Sequence, residues 1–104
     1  MAKSKVYFTT MRTVGDENLC DKLVRLCRAA GIEQIDFKDK FTAIKVHFGE
    51  EGNLAFLRPD YTRAIANLVK SLGGKPFATD CSTLYVGARK NALDHLDIAY
   101  QHGY

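Results

Sequence analysis

The sequence predicts an α/β fold: a small parallel sheet of about three strands with three helices, ordered βαβαβα, a Rossmann-like half. Three observations predict it. Short apolar runs recur three times along the chain, amphipathic helical patterns separate them, and each run ends in a polar tail. Alternation of this kind implies parallel strands joined by right-handed crossovers.

Val6-Tyr7-Phe8 is the first expected strand, running into Thr9-Thr10-Met11-Arg12. Asp16 can cap a helix that extends to about Ala30 and stops at Gly31, with Leu19, Leu23, Leu26, Cys27 and Ala30 on one face. The second strand, Ala43-Ile44-Lys45-Val46-His47-Phe48, runs into Gly49-Glu50-Glu51-Gly52-Asn53. Pro59 is a favoured first helical residue, and Tyr61, Ile65, Leu68, Val69 and Leu72 repeat the helical spacing up to Gly73-Gly74. Pro76-Phe77-Ala78 is the third strand, followed by Thr79-Asp80-Cys81-Ser82-Thr83. A third helical pattern covers about Ala88 to Gln101, with Leu93, Leu96 and Tyr100 expected to face inward.

A chain of 104 residues with 46% hydrophobic content is one domain with a thin core. No apolar stretch is long enough to span a bilayer, and the first apolar run is too short for a signal-peptide core, so no membrane role and a cytoplasmic location are expected. The net charge is +3, and its basic residues are scattered in pairs rather than massed in a stripe, which argues against nucleic acid as a partner. The three cysteines contain no Cys-x-x-Cys pair, so zinc-ribbon and cluster-binding signatures are missing. Cys20 and Cys27 stand seven residues apart, about 10 Å by helical rise and beyond disulfide reach.

If the three strands are parallel, their polar tails share one rim, where open α/β sheets bind ligands. Candidate ligand-binding residues there are Thr10, Arg12, Lys45, His47, Glu50, Asn53 and Thr83; His47 and Asp80 are candidate catalytic groups, and His47, Glu50 and Asp80 candidate metal ligands. Histidine titrates near neutrality, arginine grips carboxylate or phosphate with two prongs, and the carboxylates can orient a base or hold a cation. Each has a plainer use as a helix cap, a turn residue or a strand-end hydrogen bond. Lys45 is out of place in a strand covered on both faces. It marks either a sheet edge or a contact with a carboxylate or anionic ligand. Arg58, Tyr85 and Arg89 lie near enough in sequence to reach the rim. Neither phosphate-loop nor dinucleotide fingerprint is present.

Ile44-Lys45-Val46-His47-Phe48-Gly49-Glu50, Arg58-Pro59, Gly73-Gly74-Lys75-Pro76-Phe77, Thr79-Asp80 and Thr83-Leu84-Tyr85-Val86-Gly87 together resemble the N-terminal part of uncharacterised iron–sulfur centre proteins, domain-of-unknown-function family 362. The resemblance implies a fragment, or a stand-alone version, of a longer protein's N-terminal domain. A 4Fe-4S cluster is implied for longer members but not for this chain, which lacks the clustered cysteines. Three functional expectations follow. The first is a module contributing a small-molecule or metal site to a redox-linked protein. The second is a self-contained enzyme using His47 with Asp80 or Glu50. The third is a structural or dimerisation module. Expected partners are a second copy of the chain or the remainder of a parent protein.

Overall fold

The computed structural model describes residues 1–104. Helix α1, Leu19–Ala29, is capped by Asn18 rather than Asp16: the Asn18 side chain accepts from the Asp21 amide while the Asp21 carboxylate accepts from the Asn18 amide. Two orphan donors are thereby satisfied at once, which a lone Asp16 three residues from the first turn cannot match. Gly31, at φ 92°, ends the helix in the left-handed region and leads into one 3-10 turn, Ile32–Gln34.

Two strands form the sheet: β1, Phe41–Lys45, and β2, Lys75–Thr79, pair in parallel from Phe41 opposite Lys75 to Lys45 opposite Thr79. Helix α2, Pro59–Ser71, makes the crossover between them. Its predicted face is the one that packs: Leu68 and Val69 are buried, and Tyr61, Ile65 and Leu72 are half-buried. The helix lies between the sheet and α1. Gly74 makes the return turn tight, since a Cβ there would sit 2.6 Å from Val69 Cγ1 and 3.1 Å from Phe37 Cβ.

The first predicted strand, Val6-Tyr7-Phe8, is not formed. Val6 and Phe8 stand 88% and 82% exposed outside any ladder. The chain that follows this run is tied to α1 instead. There the buried Lys22 ammonium donates to the carbonyls of Thr10, at 2.7 Å, and Arg12. The predicted parallel sheet is therefore right in sense and one strand too large.

Helix α3 spans Ala92–Gln101 and starts at Asn91, whose side chain accepts from the amides of Leu93 and Asp94, rather than at Ala88. Its inward face also differs from expectation. His95, Ile98 and Ala99 are buried, whereas Leu93, Leu96 and Tyr100 are exposed. Ala99 joins Val46 and Phe48 in a small apolar cluster closed by Tyr104. The rotation follows from His95, which turns toward a buried carboxylate and carries Ala99, one turn on, into contact with Phe48. Only 11 of the 104 residues are buried, so much apolar surface faces outward. No helix is long and apolar enough to cross a membrane.

Candidate functional site

Because β1 and β2 are parallel, the segments that leave them emerge at one rim. The ladder continues one bond past β1, from the Val46 amide to the Thr79 carbonyl at 2.9 Å. The next acceptor is a side chain: Asp80 Oδ2 takes the Phe48 amide at 3.1 Å. Here the strands part, and the carboxylate fills the gap.

Asp80 is the hub of what gathers there. Its side chain is 1% exposed, with Lys45 Nζ 2.8 Å from Oδ1 and Arg89 Nη2 3.1 Å from Oδ2. The Cys81 amide donates to Oδ1 at 2.8 Å, and His95 Nε2 lies 3.3 Å from Oδ2. Burial alone would raise this carboxyl's pKa. The hydrogen bond from Lys45 and the amides of Phe48 and Cys81 outweigh burial and hold the carboxyl well below the usual carboxylate range.

Arg89, on the loop before α3, is the second hub. Its guanidinium donates to Glu50 and Asp80, and Nη1 lies 3.1 Å from His47 Nε2 and 3.4 Å from the Tyr85 hydroxyl. The Tyr85 hydroxyl also donates to Glu50. That bond, aided by Arg89, keeps the Glu50 carboxyl below its ordinary value; the same bond, against the pull of Arg89, pushes the Tyr85 phenol above its own. Lys45 thus resolves as a partner of a carboxylate, although its side chain stays 55% exposed.

His47 has both ring nitrogens engaged. Nδ1 accepts the Gly49 amide at 2.9 Å, and Nε2 faces a guanidinium that can only donate. A neutral imidazole carries one proton, so one of these two donors meets an N–H rather than a lone pair. No free basic nitrogen is left for a substrate proton, which works against His47 as a general base.

The structure therefore brings Lys45, His47, Glu50 and Asp80 together and sets the other candidates apart. Thr10 and Arg12 lie against α1, where their carbonyls receive Lys22. Asn53 turns its own loop, its side chain accepting from the Ala55 amide at 2.7 Å. Thr83 shapes the loop that carries Arg89: its amide donates to the Arg89 carbonyl at 2.9 Å and its hydroxyl to the Tyr85 carbonyl at 3.1 Å. His47, Glu50 and Asp80 surround the guanidinium rather than one cation position, and no group of three or more His, Cys, Asp or Glu side chains is set to hold a metal ion. Cys20, Cys27 and Cys81 are free thiols, two on α1 and one on the rim, and do not make the four-thiolate set a cluster takes.

Residues 42–104, more than half of the chain, match the family model described as a domain of unknown function (DUF362). The chain belongs to the DUF362 family. No curated protein and no solved structure matches it. The DUF362 segment contains every member of the rim network, from Lys45 to His95, and excludes α1, Thr10 and Arg12. His95 was the network residue with no sequence signal, because the leucine spacing of α3 pointed to a different face.

Proposed function

We propose that this DUF362 chain is a cytoplasmic α/β module of a redox-linked, iron–sulfur centre protein, whose cluster is held elsewhere. On this reading it contributes a binding site for a small acceptor-bearing organic molecule, such as a carboxylate. The observation that carries the ligand site is the Lys45 ammonium on the rim, whose side chain is 55% exposed and pairs with one carboxylate oxygen, Asp80 Oδ1. An ammonium has three N–H donors, so it has donors left for a ligand. The exposed His47 and Tyr85 side chains stand on the same rim, both against Arg89. A ligand oxygen arriving there accepts from the Lys45 ammonium. An organic acceptor is favoured over a cation because Lys45 and Arg89 already neutralise Asp80 and Glu50.

Assembly with further polypeptide, a parent remainder or a second copy, belongs to the same reading. Its support is the thin core and the exposed large side chains at Phe41, Leu96 and Tyr100. Native mass spectrometry of anaerobically purified chain, with metal analysis, tests the proposal. A retained organic mass that is lost in His47→Ala and Lys45→Ala is the expected result. A clean monomer mass in wild type and variants alike overturns the ligand site.

A further inference from the structure

Ser82, His95 and Asp80 form a second arrangement at the same rim, on the side away from His47. Ser82 Oγ lies 3.2 Å from His95 Nδ1, and His95 Nε2 lies 3.3 Å from Asp80 Oδ2. All three line one groove of about 520 Å³ beside α3, with Phe48, Leu96 and Tyr100 among its apolar walls. The imidazole is buried and fixed edge-on against Phe48, with centroids 5.6 Å apart and planes at 76°. The serine stands at an exposed position, open to a bound molecule.

Two partners meet His95 Nε2: the Asp80 carboxylate lies 3.3 Å away, and the Arg89 Nε–H donates toward the same nitrogen at 3.4 Å. The arginine favours a lone pair on Nε2 and the closer carboxylate favours a proton; the tautomer that arms Ser82 is the second. Nε2 then carries the proton toward Asp80, and Nδ1 is left as a base aimed at the Ser82 hydroxyl. A nucleophile, a base and a buried carboxylate that orients the base make the constellation of acyl transfer, whichever ring nitrogen serves each partner.

We propose that Ser82, His95 and Asp80 hydrolyse esters of short apolar carboxylic acids, with the acyl chain lying in the groove along α3. Ser82 Oγ attacks the ester carbonyl carbon while its proton passes to His95 Nδ1. The tetrahedral adduct collapses, the bond to the alcohol oxygen breaks, and the alcohol leaves with that proton. Water then attacks the acyl-serine by the same relay, releasing the carboxylic acid and restoring the Ser82 hydroxyl. Asp80 acts through His95 as a positioning residue, its negative charge stabilising the transient imidazolium.

The whole chain is assayed with p-nitrophenyl butyrate, and a fluorophosphonate probe is located by peptide mass spectrometry. Release of nitrophenolate and phosphonylation of Ser82 are expected. Ser82→Ala abolishes the label and lowers kcat/KM by about a hundredfold or more, as does His95→Gln, while Cys81→Ala keeps both. Circular dichroism checks the buried His95 variant, and the exposed Ser82 variant decides without it. No turnover above buffer, a label on Cys81, or Ser82→Ala retaining wild-type turnover each overturns the proposal. A ligand retained through Lys45 and His47 is untouched by Ser82→Ala, so the two readings fail separately.

Discussion

Arg89 and Asp80 meet as an ion pair, Nη2 to Oδ2 3.1 Å, with only 5% and 1% of their side chains exposed. Two charges so far from water are costly to desolvate, and their attraction contributes little net stability over an apolar pair. Removing one partner is a different matter, because the other charge is then left buried. Asp80→Asn leaves Arg89 with Glu50 as its one carboxylate and weakens the acceptor of the Phe48 and Cys81 amides, and is expected to cost about 3 kcal/mol in denaturant unfolding. Lys45→Ala leaves Asp80 with Arg89 and two backbone amides. Since the Lys45 side chain is 55% exposed, the expected loss is about 1 kcal/mol. Equal losses from the two variants would contradict the placement of Arg89 as the indispensable partner.

The same carboxylate sets an acid limit. Asp80's folded pKa lies below its unfolded value of about 3.9, so its contribution is complete above that value and is lost as pH falls toward the folded one. Glu50, lowered by Tyr85 and Arg89, acts in the same direction. Thermal midpoints of the wild type are expected to hold between about pH 5 and 7 and to fall steeply below about pH 4. Asp80→Asn is expected to flatten most of that fall. A variant with an undiminished acid slope would place the linkage on other carboxylates.

The fold class was legible because periodicity and punctuation coincide in its middle: Pro59, the Leu68–Val69 face and Gly73-Gly74 all read correctly. Legibility failed where a single tertiary contact overrides local pattern. His95 turns α3 so that three leucine-spaced residues face water, and Lys22 ties the chain after the first apolar run to α1 through the Thr10 and Arg12 carbonyls. At the rim, the expectation that strand-end polar residues converge located Lys45, His47, Glu50 and Asp80 in one place. The organising cation, Arg89, comes from a loop whose turn chemistry looks purely structural. One sequence does not reveal which of several arginines is buried.

The absence of a third strand predicts unusual tolerance near the N-terminus. Val6 and Phe8 are exposed, so Val6→Ser and Phe8→Ser are each expected to change unfolding free energy by less than about 0.5 kcal/mol. In a packed strand, truncating Phe8 would instead cost about 3 kcal/mol. Chemical denaturation of the two variants separates these outcomes. A loss of the larger size would return Val6–Phe8 to the sheet, either within the chain or against a second copy.

Gly49 offers a sharper contrast with its neighbour in the same loop. Both Gly49 and Gly52 have positive φ, 92° and 75°, where a side chain is strained by about 1–2 kcal/mol. Gly52 has nothing near it, so Gly52→Ala carries that strain alone. A Cβ on Gly49 would lie 2.7 Å from His102 Nδ1 and 2.8 Å from Phe56 Cδ1. Those two rings are stacked with centroids 4.0 Å apart, and His102 Nδ1 also bonds the Phe48 carbonyl at 2.6 Å, so neither can retreat freely. Gly49→Ala is expected to cost about 3–4 kcal/mol, the strain plus a clash, and to loosen the loop that presents Glu50 to Arg89. Unfolding free energies of the two variants check this. If Gly49→Ala were no worse than Gly52→Ala, the close packing of His102 and Phe56 on the rim loop would be wrong.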